Sequence, residues 1–219
     1  DAIRQNRALI AAIPPQTGGV PRPLEFFRTA EGYHSIGTQE VREQLSHATV
    51  SMINNANVPM DVKQQFLDMA AAAMERQAND FPDSARAPFF LGILLDHAGS
   101  YTEAKKWLDT AQERSPQKQS IKFELGLNAY ARNAPEEAVG YFKQAYESEP
   151  VYREAAVYYA AALIRLGNDA EADRVLAPFI ETGEAVDQRL ASAYAALGRY
   201  DKIVTLWTAH VEKNPQDLD

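Results

Sequence analysis

Apolar residues recur along this chain at helical spacing, in short runs, and the runs themselves recur. Between Pro88 and His97, the residues Phe89, Phe90, Ile93 and Leu94 fall on one face of a helix. Gly99 is placed to end that helix, because glycine accepts the positive φ of a helix C-terminus. Ser100 and Glu103 have the S-x-x-E spacing of a capping box, so a second helix is predicted through Ala104, Trp107, Leu108 and Ala111. Pro116 then closes the unit. The same pattern returns every 34 residues, as Pro82, Pro116 and Pro150 show. Gly99, Asn133 and Gly167 keep that step, as do Ala104, Ala138 and Ala172, and Leu108, Phe142 and Leu176. A fixed period of this length predicts a stack of helical hairpins rather than one closed core. Small residues at Gly92, Gly126 and Ala160 would let the partner helix approach closely. Leu108, Phe142 and Leu176 would fill the gap between hairpins.

The flanks depart from the ruler. A third unit runs from Tyr152 to Gly183, with Phe179 at a small-residue slot. Its follower is shortened, since Gly198 lies 31 residues after Gly167, so its first helix should be about one turn short. Upstream, helices are predicted over Thr38 to Asn55 and Asp61 to Asn79, an atypical pair of the sort that caps repeat arrays. Earlier still, Ala2 to Ile13 reads as an amphipathic helix. Pro14, Pro15, Gly18, Gly19, Pro21 and Pro23 read as a linker, and a short helix follows through Phe26 and Phe27. The organisation expected is an N-terminal segment over 1–37, a degenerate hairpin over 38–84, and repeats over 85–219. Those repeats divide at about 85–118, 119–152, 153–183 and 184–219.

The ladder resembles the tetratricopeptide repeat (TPR). The family order is Leu-Gly, an aromatic or large residue, then Ala, Phe, Ala and Pro. Leu91, Gly92, Leu95, Ala104, Leu108, Ala111 and Pro116 meet it, as do Leu125, Gly126, Ala138, Phe142, Ala145 and Pro150. The resemblance implies an all-α, right-handed superhelix whose function is binding. It also implies that the first helix of each hairpin lines a concave face. A second resemblance covers the N-terminal part. A short helix and Pro-rich spacer lead into Phe27, then Gln39-Glu40-Val41-Arg42-Glu43-Gln44-Leu45, then Phe81-Pro82-Asp83-Ser84-Ala85-Arg86 and later Ser115-Pro116-Gln117-Lys118-Gln119. This order is similar to the soluble C-terminal region of O-antigen ligase-like bacterial membrane proteins. That likeness implies a domain outside the membrane in a bacterial cell envelope. It also implies apolar spans of about 20 residues before Asp1 in the native gene product. The absence of an initiator Met at Asp1 points the same way.

Composition narrows the functional classes. The formal charge is −8 and the pI about 5.1, and Lys and Arg are scattered with no basic run longer than the pair Lys105-Lys106, which argues against nucleic acid and anionic membrane surfaces. The longest apolar run, Ala155 to Ile164, contains two tyrosines and is shorter than the ~18 residues of a membrane span, so no direct membrane insertion of this segment is expected. There is no cysteine, hence no disulfide and no thiolate site. His34, His47, His97 and His210 show neither i, i+4 metal spacing nor an H-E-x-x-H motif. Glu136 and Glu137 follow Pro135 at a helix start, where negative charge suits the dipole. No catalytic residue, metal site or cofactor is expected, and the protein is read as a non-enzyme.

The residues expected to face inward are Arg86, Phe89, Phe90, Ile93 and His97 on one stripe, and Phe123, Glu124, Leu127 and Tyr130 on the next. Tyr158, Ala161 and Arg165 follow, with Arg189 and Ser192 beyond. Ten of them form the candidate groove: Arg86, Phe89, Phe90, Ile93, His97, Phe123, Leu127, Tyr130, Tyr158 and Arg165. It is more apolar than a solvated face and suits a protein or peptide partner, with Arg86 and Arg165 available to orient acidic groups. The Lys/Asn set with which family members clamp a C-terminal carboxylate is missing, since Phe89, Ile93 and Phe123 stand there. A homo-oligomerisation module, suggested by the abrupt end at Asn214-Pro215, and a glycan-binding domain are the alternative readings.

Overall fold

The computed structural model describes residues 2–12, 21–33 and 35–216. Every element in these residues is an α-helix: α1 Ala2–Ala12, α2 Pro21–Glu31, α3 Thr38–Asn54, α4 Met60–Asp80, α5 Arg86–His97, α6 Tyr101–Arg114, α7 Gln119–Ala131, α8 Pro135–Ser148, α9 Arg153–Arg165, α10 Asp169–Thr182, α11 Gln188–Ala196 and α12 Tyr200–Lys213. The fold class is all-α, built from successive helical hairpins. The chain forms two compact units, Asp1–Gln117 and Lys118–Asp219.

The hairpin turns follow from local chemistry. Gly99, Gly167 and Gly198 adopt φ of 79°, 74° and 68°, and Asn133 takes the same left-handed conformation at 58°. In each turn the next N–H reaches back across the helix end: Ser100 to the Leu95 carbonyl, Ala134 to Ala129, Asn168 to Leu163 and Arg199 to Tyr194, all at 2.9 Å. This arrangement satisfies carbonyls that the helix end would otherwise leave bare. It also overturns the expected capping box. The Ser100 side chain makes no capping bond to α6. Because its backbone N–H is already given to Leu95, Glu103 has no N-cap donor to reach, and its carboxylate instead accepts from Lys106 Nζ at 2.7 Å.

In the first unit the core gathers around Phe27, Leu45, Phe66, Met74, Leu91 and Leu94, all fully buried or nearly so. Pro21 and Pro23, read from sequence as linker, lie in the first turn of α2. Proline is tolerated there because the first helical N–H groups have no intrahelical partner anyway. The remaining linker residues, Pro14, Pro15, Gly18 and Gly19, lie outside the described residues, as does His34. Gln5 ties α1 down, donating to the Ala30 carbonyl at 3.0 Å and to Thr38 Oγ1 at 3.1 Å. Arg42, almost wholly buried on α3, donates to Gln77 at 2.6 Å and Asp80 at 3.0 Å, and so joins α3 to α4.

In the second unit α7 and α8 meet at Gly126. A Cβ there would stand 2.5 Å from Phe142 Cε1. In the first unit a Cβ on Gly92 would likewise lie 2.6 Å from Leu108 Cγ. Leu108 and Phe142 therefore fill the glycine gap of their own hairpin, a correction to their expected place between hairpins. Phe142 does both, because its ring also stacks on Tyr158 of α9 at 5.3 Å. α9 is the most buried helix, with Ala155 to Ile164 largely enclosed apart from Tyr158. α11 has 9 residues against 13 in α9, the shortening that the 31-residue spacing implies.

Candidate interaction site

Each unit presents its own set of the candidate residues. In the first unit Arg86, Phe89, Phe90, Ile93 and His97 all lie on α5. Helix α3 runs beside them and engages three. The Arg86 guanidinium grips Glu43 with two nitrogens, one bond measuring 2.6 Å. The ring edge of His47 meets Phe90 at 5.3 Å, and Asn54 Nδ2 lies 3.3 Å from His97 Nδ1. Burial alone would push the Glu43 carboxyl up, but the bonds from Arg86 and Gln39 and the Arg86 charge outweigh it and hold the group below its ordinary value. Arg86 is thus already paired with Glu43. Phe89 and Ile93 stay half-buried.

The second unit holds a more open arrangement. Phe123, Leu127 and Tyr130 lie on α7, Tyr158 and Arg165 on α9, and Gln188, Arg189 and Ser192 on α11. A cavity of about 540 Å³ is lined by Tyr130, Tyr158, Arg165, Gln188, Arg189 and Ser192, with the small side chains of Ala131 and Ala161. The rings of its aromatic wall pack against a cluster of further aromatic rings. Phe123 meets Tyr158 edge-on at 4.9 Å, and buried Phe142 lies 5.4 Å from Tyr130. Phe123 and Leu127 pack against this cluster without lining the cavity. Gln188 and Ala131 were not among the expected residues. The position of Gln188, one turn before Ser192 on α11, was the available signal.

The two arginines differ. Arg189 lies over the Tyr158 ring at 4.3 Å and is held by Asp187 at 2.8 Å and Glu154 at 2.5 and 3.0 Å. Asp187 also accepts from the Arg189 backbone N–H at 2.9 Å and so caps α11. The Arg189 guanidinium holds the Asp187 carboxyl below its usual range. Arg165 lies over the Tyr130 ring at 5.5 Å and is exposed. No carboxylate among the described residues pairs with it. The Tyr130 hydroxyl is buried with no hydrogen-bond partner among the described residues, and burial first of all pushes it up to about 12. Among the described residues no group of three or more His, Asp or Glu side chains is placed to hold a metal ion. No helix there is long and apolar enough to cross a membrane.

A pH dependence follows from three phenols. Burial is the first cause raising Tyr130, Tyr159 and Tyr194. Glu171 adds to it by accepting from Tyr159 at 2.6 Å, and Asp173 and Asp169 add to it at Tyr194. Their folded values lie above the unfolded value of about 10. The associated stability is therefore intact below about pH 10 and is lost as pH rises through the folded values. Denaturant midpoints should be level from about pH 8 to 9.5 and fall by about pH 11; a level profile throughout would contradict this account.

The matches to known proteins agree with the helical-hairpin fold. The tetratricopeptide-repeat family model matches residues 61–118, from α4 to the end of α6, and 123–173, from α7 into α10. The chain belongs to the tetratricopeptide-repeat family. Among solved structures it is similar to YrrB, a TPR protein with an unusual peptide-binding site, at TM-score 0.59 and 18% identity, over 88% of this chain and 94% of that one. It is similar to MamA at TM-score 0.56 and 17% identity, over 70% and 91%. It is also similar to TTC0263, a thermophilic TPR protein in Thermus thermophilus, at 0.53 and 20%, over 81% and 94%. At such identities the likeness shows the fold alone, which is a TPR solenoid. No curated protein sequence matches the chain. The similarity to O-antigen ligase-like proteins rests only on the residues quoted for it above.

Proposed function

We propose that this TPR chain is a non-catalytic interaction scaffold that holds a peptide or partner helix in the groove formed by α7, α9 and α11. The observation that carries this reading is the 540 Å³ cavity, which has an aromatic wall and one buried polar group, the Tyr130 hydroxyl, that nothing among the described residues satisfies. Such a surface matches grooves that take an extended or helical peptide through a few side-chain anchors. The peptide-binding site of YrrB, on a similar fold, supports the same class of ligand. In the first unit, Phe89 and Ile93 on α5 offer a narrower surface of the same kind, beside Arg86, Phe90 and His97, which α3 engages. A place outside the membrane beside a cell-envelope glycan polymerase or ligase is part of the proposal, and the reading frame upstream of Asp1 tests it.

Photocrosslinking tests the groove. With benzoylphenylalanine at Ser192, irradiation should give discrete covalent adducts in an extract of the source cells. At Gly140, an exposed site where a Cβ would meet nothing within 4 Å, it should give none. Equal adducts at both sites, or none at Ser192, would sink the reading.

One observation favours a second reading, a homo-oligomerisation module. Tyr200, Val204, Trp207 and Val211 form an exposed apolar stripe along α12, with Trp207 51% exposed. Exposed stripes of this kind mark contact surfaces. If copies associate there, light scattering will show mass rising with concentration, and Trp207→Glu will abolish the rise. A monomer at all concentrations excludes this reading.

A further inference from the structure

The groove of the second unit is short of negative charge in a chain that has it in excess. The chain carries 30 acidic and 22 basic residues, yet two arginines and no carboxylate line the cavity. One of those arginines is spent. Arg189 is saturated by Asp187 and Glu154 and is fixed over Tyr158. The other, Arg165, has no acidic partner among the described residues, although ion pairs join other helices, Arg42 to Glu31, Arg199 to Asp169 and Lys202 to Asp173 among them. Beneath Arg165 lies Tyr130, whose hydroxyl is shielded from water and donates to nothing among the described residues. Buried hydroxyls in folded proteins are almost always bonded, and one that is not asks for an explanation. At neutral pH this phenol can only be a protonated group seeking an acceptor, and a guanidinium has no acceptor to give. Both groups are satisfied by one kind of ligand, an anion with two oxygens. Once binding uncovers the Tyr130 hydroxyl, one oxygen can accept its hydrogen bond while the pair accepts from the planar guanidinium. Gln188 and Ser192 of α11 also line the cavity and offer neutral polar contacts. Ala131 and Ala161 leave room for the rest of a side chain.

We infer that this groove recognises an aspartate or glutamate side chain within a partner peptide, through Arg165 and the Tyr130 hydroxyl. The inference rests on the groove reading above and names its ligand chemistry. The carboxylate comes from a side chain and not from a chain end.

The test is a peptide library displayed with no free C-terminus, panned against the intact chain. Enriched sequences should share an Asp or Glu at one position beside an apolar residue. Panning against Arg165→Glu should move the preference to Lys or Arg at that position. A synthetic peptide from the first panning should bind Arg165→Ala and Tyr130→Phe about tenfold more weakly each, as expected for charge-assisted hydrogen bonds. Its binding should not change when its C-terminus is amidated. Tyr130→Phe should melt no lower than the parent, since it deletes an unsatisfied polar group, which separates a ligand contact from a structural one. Enriched peptides that need Phe123 and Tyr158 but show no acidic preference, or that ignore Arg165→Glu, would overturn the inference and leave the groove reading standing. Binding that depends on a free C-terminus would also overturn it. No enrichment at all would overturn both.

Discussion

Gly126→Leu will lower the melting temperature several times more than Gly140→Ala changes it, and the two shifts will have opposite sign. A Cβ on Gly126 would lie 2.5 Å from Phe142 Cε1 and 2.8 Å from Cζ. Phe142 cannot retreat. It is fully buried, with Tyr130 at 5.4 Å, Tyr158 at 5.3 Å and Phe123 at 5.7 Å around it. A leucine must therefore force α7 and α8 apart, and overpacking of this kind costs about 1–3 kcal/mol or more. Gly140 is exposed in mid-helix with nothing within 4 Å, so alanine there adds only helix propensity, about 0.5–1 kcal/mol. In a domain of this size each kcal/mol moves the melting temperature by ~2–4 °C. Equal shifts from the two substitutions would refute the close approach assigned to Gly126.

The combined Phe123→Ala and Tyr158→Ala variant will lose partner capture while keeping its helical circular dichroism. Both side chains are half-buried and meet edge to face at 4.9 Å; Tyr158 lines the groove and Phe123 packs against it. Anchors of this type typically cost about 2 kcal/mol or more of binding on truncation. The double variant will also melt lower, since Phe142 loses two ring partners worth about 0.5–1.5 kcal/mol each. Helical content survives because the hairpin contacts rest on Leu125, Ala138, Ala145, Ala156 and Ala160, which the substitutions do not touch. A control in which exposed Tyr101 and Tyr152 are replaced by alanine should keep capture. If the groove variant captures the same partners at the same level as the parent, the groove is not the site.

Repetition made the hairpins legible without coordinates. Gly99, Gly167 and Gly198 recur because each turn needs a left-handed residue, and Asn133 substitutes because its short amide tolerates that conformation. Gly92 and Gly126 recur because a large residue from the second helix occupies the space a Cβ would need. Such requirements are local or repeat with the period, so the residues alone reveal them. Hydrogen-bond competition is not visible in that way. The Ser100 and Glu103 spacing suits a capping box, but the Ser100 N–H was already committed to Leu95. The availability of charge was also settled by tertiary structure. Arg86 and Arg165 look alike in sequence, each on the first helix of a hairpin. Folding brings Glu43, 43 residues away, onto Arg86, and Glu154, 35 residues away, onto Arg189, yet leaves Arg165 over the bare hydroxyl of Tyr130. Ion pairing depends on which distant side chain arrives within about 4 Å, and the 34-residue period that builds the stack carries no information about that.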